Sequence, residues 1–114
     1  MQPLAWHKAR IENILSSTTA EWNDYPETPI RYRLHKPGRS TSSLWLSIAV
    51  STGTFTVSAT GELSADMGRP IKKLVGRPTV TDGNHMEWRR VSFEDTCQII
   101  EEFNRLFPAG TTAA

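Results

Sequence analysis

The sequence has one cysteine, three histidines and no apolar run long enough to cross a bilayer among its 114 residues. The lone Cys97 cannot close an internal disulfide, so the fold needs no oxidising compartment. His7, His35, His85 and Cys97 are scattered, with no pair at i, i+3 or i, i+4 and no Cys-x-x-Cys. That spacing offers no metal site. There is no P-loop, no Gly-x-Ser-x-Gly and no dinucleotide fingerprint, so no cofactor is expected. Met1-Gln2-Pro3-Leu4 leads straight into a polar-interrupted pattern without an apolar h-region. The expectation is therefore a cytoplasmic protein with no signal peptide and no membrane partner.

What is present is ordinary globular composition, 38% hydrophobic and 22% charged, enough for one domain with a modest core. The clearest pattern lies between Leu44 and Thr60. Leu44, Leu46, Ile48 and Val50 alternate with Trp45, Ser47, Ala49 and Ser51, and after Thr52-Gly53 the alternation resumes with Phe55, Val57 and Ala59. Period-two alternation in β-branched and aromatic company predicts an antiparallel hairpin. Thr52 is a poor residue for positive φ, which predicts a loop of three or more residues with Gly53 left-handed.

The other elements follow from the same rules. Pro3 to Ser17 reads as a helix with Leu4, Ile11, Ile14 and Leu15 on one stripe, His7 among them, and Trp6 nearly opposite. A large aromatic on a polar side needs a covering loop or a partner, and Ser16–Pro29, with Trp22 and Tyr25, is long enough to fold over it. Ile30–His35 reads as a strand with Ile30, Tyr32 and Leu34 inward. Lys36-Pro37-Gly38-Arg39 then signals a turn, extended by a polar loop over Ser40–Ser43. From Gly61 to Val75 the apolar spacing is helical, but Gly68 and Pro70 interrupt it; a short helix from Ile71 to Val75, or an irregular crossover, fits better than one helix. Thr79–Thr81, Asp82-Gly83-Asn84 and His85–Val91 predict a second hairpin. Ser92 is a good N-cap for a last helix carrying Phe93, Cys97, Ile100, Phe103 and Phe107 on one face, stopped by Pro108 and Gly110. Cys97 on that face reads as an inert core thiol.

The net charge of +1 conceals an uneven distribution. Residues 29–92 carry ten Lys or Arg against four acids, whereas both flanking helical segments are acidic. In strand register Arg31, Arg33 and His35 share one face, which the outward Trp45, Ser47, Thr56 and Ser58 would join. Arg69, Lys72, Lys73 and Arg77 form a second basic cluster, and Arg89 with Arg90 a third. Gly68-Arg69-Pro70 followed by Lys72-Lys73 resembles an AT-hook, in which Gly-Arg-Pro slips an extended Arg into the minor groove. His85-x-Glu87 has the opening of a zinc deaminase motif, but the required Pro-Cys-x-x-Cys is missing. Paired carboxylates at Glu94-Asp95 and Glu101-Glu102 are adjacent on a helix and point apart.

The whole reads as an α+β domain over residues 1–110 with a frayed tail at 111–114. Its two layers are an antiparallel sheet of about five strands and the N- and C-terminal helices on one face. The order of helix, three strands, crossover, two strands and helix is similar to that of type III secretion chaperones. That resemblance implies a homodimer that wraps a secreted effector. Small immunity proteins, which cap a toxin without doing chemistry, are similar in size and make-up. The expected function is non-enzymatic binding of another protein with an acidic surface, through Arg31, Arg33, His35, Trp45 and Arg89, with Trp6 as a further aromatic anchor. A nucleic-acid-binding domain using the same basic face is the alternative. A small enzyme with a site assembled from scattered residues is the third.

Overall fold

The computed structural model describes residues 3–17, 21–49 and 52–107, with backbone alone at 39–41. In chain order the elements are α1 (Leu4–Leu15), β1 (Trp22–Asp24), β2 (Arg31–Lys36), β3 (Arg39–Ala49), β4 (Thr54–Thr60), α2 (Glu62–Val75), β5 (Val80–Asp82), β6 (His85–Val91) and α3 (Phe93–Leu106). The strands form one antiparallel sheet in the order β1-β2-β3-β4-β6-β5. The α+β class, the antiparallel sheet and the two end helices agree with the sequence reading; the sixth strand is the short β1, in a segment read as loop.

Register explains the layering. Tyr32, Leu46, Val57 and Trp88 stand opposite one another across four strands, as do Leu34, Leu44, Ala59 and Met86. All but Met86 in these two rows are buried, and they share a core with Ile11 and Leu15 of α1, Leu63, Met67 and Ile71 of α2, and Ile99, Ile100 and Phe103 of α3. The three helices therefore cover one face of the sheet and leave the other open. Gly53 sits at φ +70 in the central hairpin, and Ser92 Oγ accepts from the Asp95 N–H at 3.0 Å as the α3 cap. Both match the turn and cap chemistry of the sequence.

Two further segments differ from expectation, each for a physical reason. The polar stretch before Leu44 belongs to β3, not to a loop. Ser42 Oγ accepts from the Glu62 N–H at 2.9 Å, and the Ser43 N–H donates to Thr60 Oγ1 at 3.1 Å. Ser42 and Ser43 can be buried because their groups find partners there. The Ser42 hydroxyl serves the start of α2, whose own N-cap, Gly61, has no side chain to offer, and the Ser43 N–H finds Thr60 where the β3–β4 pairing ends. The second segment is α2, which is one continuous helix with Pro70 inside it. Pro in a helix interior costs about 3 kcal/mol. Leu63, Met67 and Ile71 recur at i, i+4 and i+8 and are fully buried, and three such side chains outweigh that cost at about 1.5–3 kcal/mol each. Gly68 lets the helix close on β6: a Cβ there would lie 3.3 Å from Met86 Sδ. The AT-hook likeness ends here, since Gly68-Arg69-Pro70 is helical rather than extended.

The C-terminal stop signals Pro108 and Gly110 and the tail at 111–114 lie outside the described residues. No helix among the described residues is long and apolar enough to cross a membrane.

Candidate functional site: the open sheet face

Alternation that buries Tyr32, Leu46 and Val57 turns their neighbours outward, and the pairing lines these up in rows. Asn23, Arg33, Trp45, Ser58 and Glu87 form the middle row, from β1 across to β6. Arg31 pairs with Ser47 one row away, and His35 with Ser43 on the other side. The Arg31 guanidinium lies 4.7 Å from the Trp45 ring centre and that of Arg33 lies 5.1 Å from it. Tyr25 joins them, its ring 5.5 Å from Trp45 and tilted by 32°, with the Arg31 guanidinium 5.3 Å away. A backbone bond from Tyr25 N–H to Arg31 C=O at 3.2 Å holds the aromatic in place. Arg33 Nε donates to the buried Ser43 Oγ at 2.8 Å. The result is an ordered stack of two guanidiniums and two aromatic rings. Each cation–π contact contributes on the order of 0.5–1 kcal/mol at a surface.

Beside this stack the face is concave. A cavity of about 410 Å³ is lined by Arg31, Trp45, Ser58, Thr60, His85 and Glu87, among others. The face is therefore not uniformly basic. Its β2–β3 half presents arginines, while its β6 half presents Glu87, whose carboxylate takes Arg89 Nε at 2.6 Å. Alternation along His85–Val91 puts Glu87 on the same side as Arg89, so this carboxylate was legible in the sequence. Tyr25 was not: nothing in Asp24-Tyr25-Pro26 signals that the ring will reach Trp45.

The structure brings Arg31, Arg33 and Trp45 into direct contact and sets His35 beside them, hydrogen-bonded from Nε2 to Asn23 Oδ1 at 2.7 Å. Arg89 lies on the far strand, paired to Glu87. Trp6 is elsewhere: it sits on the helical side, 39% exposed, against His7 and Phe93, with the Arg10 guanidinium 5.5 Å from its ring. The aromatics of the loop do not cover it, because Trp22 packs on Tyr32 and Tyr25 on Trp45. Lys36, next in sequence to the basic face, turns to the helical side. A register shift between His35 and Lys36 accompanies a Lys36 ammonium that meets Glu62 at 3.0 Å and Asp66 at 2.6 Å, both on α2. Asp66 chiefly, with Glu62, raises the Lys36 pKa and fixes its charge there.

Two further groups complete the inventory. Burial pushes the Cys97 thiol up, with Arg10 opposing, as suits a core thiol rather than a nucleophile. Lys8, Glu12, Asp24 and Tyr32 form a polar clasp that sequence reasoning missed. Tyr32 OH donates to Glu12 Oε2 at 2.6 Å and accepts from Lys8 Nζ at 3.0 Å, and Lys8 bridges on to Asp24 at 3.0 Å. Burial first, then the Glu12 bond, raises the Tyr32 pKa; burial opposes the Lys8 charge, but its bonds to Tyr32, Asp24 and Glu12 prevail and raise it. The clasp ties α1 to β1 and β2. Only the Lys8–Glu12 spacing of i, i+4 hinted at it.

No group of three or more His, Cys, Asp or Glu among the described residues is placed to hold a metal ion. No protein-family model matches this sequence, no curated protein is significantly similar to it, and no solved structure matches its fold.

Proposed function

We propose that this chain is a non-enzymatic protein-binding module whose open sheet face receives an acidic surface of another protein. The observation that carries the reading is the Arg31–Trp45–Arg33 stack with Tyr25 against it. A guanidinium lying on an indole has its poorly hydrated plane satisfied while its N–H donors stay in the plane, and Arg33 is further fixed by the bond from its Nε to Ser43. Such a group meets a planar carboxylate with little rotamer entropy left to lose. The aromatic–arginine mixture is also that of binding hot spots. Asn23, Ser47, Thr56 and Ser58 supply adaptable polar contacts around it. An immunity-type inhibitor or a secretion-type chaperone would use a face of this kind. Stacking of a nucleobase on Trp45, by contrast, would have to displace the guanidiniums or Tyr25.

The test is a pull-down from source lysate at moderate salt, with and without nuclease, comparing wild type with a Trp45→Ala, Arg33→Ala double variant. A protein that survives nuclease, binds in purified form and is lost in the variant supports the reading. Capture of nucleic acid, weakening steeply with salt and lost in the variant, would replace it with the nucleic-acid alternative. If neither appears, the face is solvated surface and the reading fails.

A further inference from the structure

The strand pairing contains a second irregularity, away from the open-face stack. Val57 pairs with Trp88 and Phe55 with Val91, so Thr56 alone stands opposite both Arg89 and Arg90. The bulge has a definite effect on side-chain direction. Without it, alternation from the buried Trp88 would send Arg90 into the core and Val91 out. With it, Arg89 and Arg90 are both exposed and Val91 returns to the core at 3% exposure. The bulge places two successive guanidiniums at the surface while keeping the core register.

Arg90 holds φ +60 to do so, the only positive φ among the described residues that is not a glycine. Gly38, Gly53, Gly61, Gly76 and Gly83 serve the other such positions. A glycine at 90 would relieve the strain, so the arginine stands there at a local backbone cost. It lines a cavity of about 390 Å³ at the outer edge of β6, past the end of β5, together with Arg77, Arg89 and Asp95. Leu74, 39% exposed, furnishes apolar wall, and the lining reaches the otherwise buried Trp88. Arg77 of the second basic cluster thus meets the third, Arg89 and Arg90, in one place.

The charges define what would fit. Arg89 is neutralised by Glu87 at 2.6 Å, whereas Arg77 and Arg90 have no ion pair among the described residues. The Asp95 carboxylate in the same lining offsets one of them. One positive charge is left beside apolar wall. We propose that this cavity is a second binding site, separate from the open face, for a single carboxylate borne on an apolar body. A guanidinium fork suits that planar anion, and a dianionic phosphate would meet Asp95 with charge in excess.

The experiment is an NMR titration of the ¹⁵N-labelled full chain with sodium 3-phenylpropionate, against 3-phenylpropionamide, acetate and inorganic phosphate at matched ionic strength. Saturable shifts confined to residues 74–79, 88–91 and 95, strong with the phenylpropionate and absent with its amide, are expected. Arg90→Gly is the decisive variant because it removes strain: it should melt higher than wild type and bind at least about ten-fold more weakly, which is 1.4 kcal/mol. Arg77→Ala should weaken binding without that rise in melting temperature. A peptide ending in phenylalanine, free or amidated at its C-terminus, separates a protein terminus from a small acid as the source of the carboxylate. No saturable shift, equal shifts with the amide, tighter phosphate binding, or an Arg90→Gly protein that melts lower or binds as wild type would each overturn the proposal.

Discussion

Tyr32→Phe isolates the polar clasp from the core beneath it. The ring is fully buried and remains, with its edge contact to Trp22 at 5.7 Å, so no cavity forms. What goes is the donation to Glu12 at 2.6 Å and the acceptance from Lys8 at 3.0 Å. A hydrogen bond to a charged group contributes about 1.5–3 kcal/mol. The partners are not orphaned, because Lys8 still reaches Glu12 at 3.2 Å and Asp24 at 3.0 Å, and all three are partly exposed. The loss should therefore fall near the bottom of that range, about 1–2 kcal/mol, measured as a shift in urea midpoint at pH 7 with an unchanged m-value. The pH dependence gives a second reading. The folded Tyr32 phenol and Lys8 ammonium both titrate above their ordinary values, so each favours its protonated form in the native state. Their contribution is complete below about pH 10, where the unfolded groups titrate, and is lost as pH rises through the folded values. Wild type should weaken above pH 10, and Tyr32→Phe should weaken less steeply. A cost under about 0.3 kcal/mol, the scale of ordinary non-additivity, or an identical alkaline limb in both proteins would refute the clasp as a stabilising device.

Three other outcomes are expected. Pro70→Ala should stabilise by about 1–2 kcal/mol, because it restores the bond to the Asp66 C=O in α2 and removes the ring clash, less the entropy Pro takes from the unfolded chain; equilibrium unfolding with no gain would mean α2 is already relaxed around the ring. Ser92→Ala should cost about 1 kcal/mol through loss of the bond from the Asp95 N–H, with Ser92→Asp restoring most of it in thermal melts. Cys97 should react with a thiol reagent far more slowly than free cysteine at pH 8 and quickly after denaturation, since burial both covers the thiol and raises its pKa; rapid labelling of the native protein would remove it from the core.

How far the sequence specifies this molecule depends on whether the deciding interaction is local. The hairpin from Leu44 to Thr60, the Gly53 turn, the Ser92 cap and the apolar faces of α1 and α3 are each set by residues a few positions apart, and each is legible. So is the Arg31, Arg33 and Trp45 face, because strand alternation alone decides it. Failures begin where a distant partner overrides a local preference. Ser42 and Ser43 look like loop until Glu62 and Thr60 are set beside them. Pro70 looks like a helix end until the burial of Leu63, Met67 and Ile71 is weighed against it. Trp22 looks like a loop aromatic until Tyr32 is there to receive it.

The same distinction bears on the two sites. On the open face, pattern puts Arg31 and Arg33 beside Trp45 and turns Glu87 to the side of Arg89, but only the fold adds Tyr25 as the wall that orders the stack and sets Glu87 in the same cavity as Arg31. A uniformly basic face would steer any anion. One that carries arginines on β2 and a carboxylate on β6 imposes an orientation on whatever binds, because reversing the partner sets like charges together. Reversing that polarity is therefore a sharper probe than removing charge. A Glu87→Arg variant frees Arg89 and makes the whole face cationic. If the partner is read by its charge pattern, specific capture should fall while binding to nucleic acid and other polyanions rises. If specific capture instead improves, the orientation is not set by this face and charge attraction alone accounts for it.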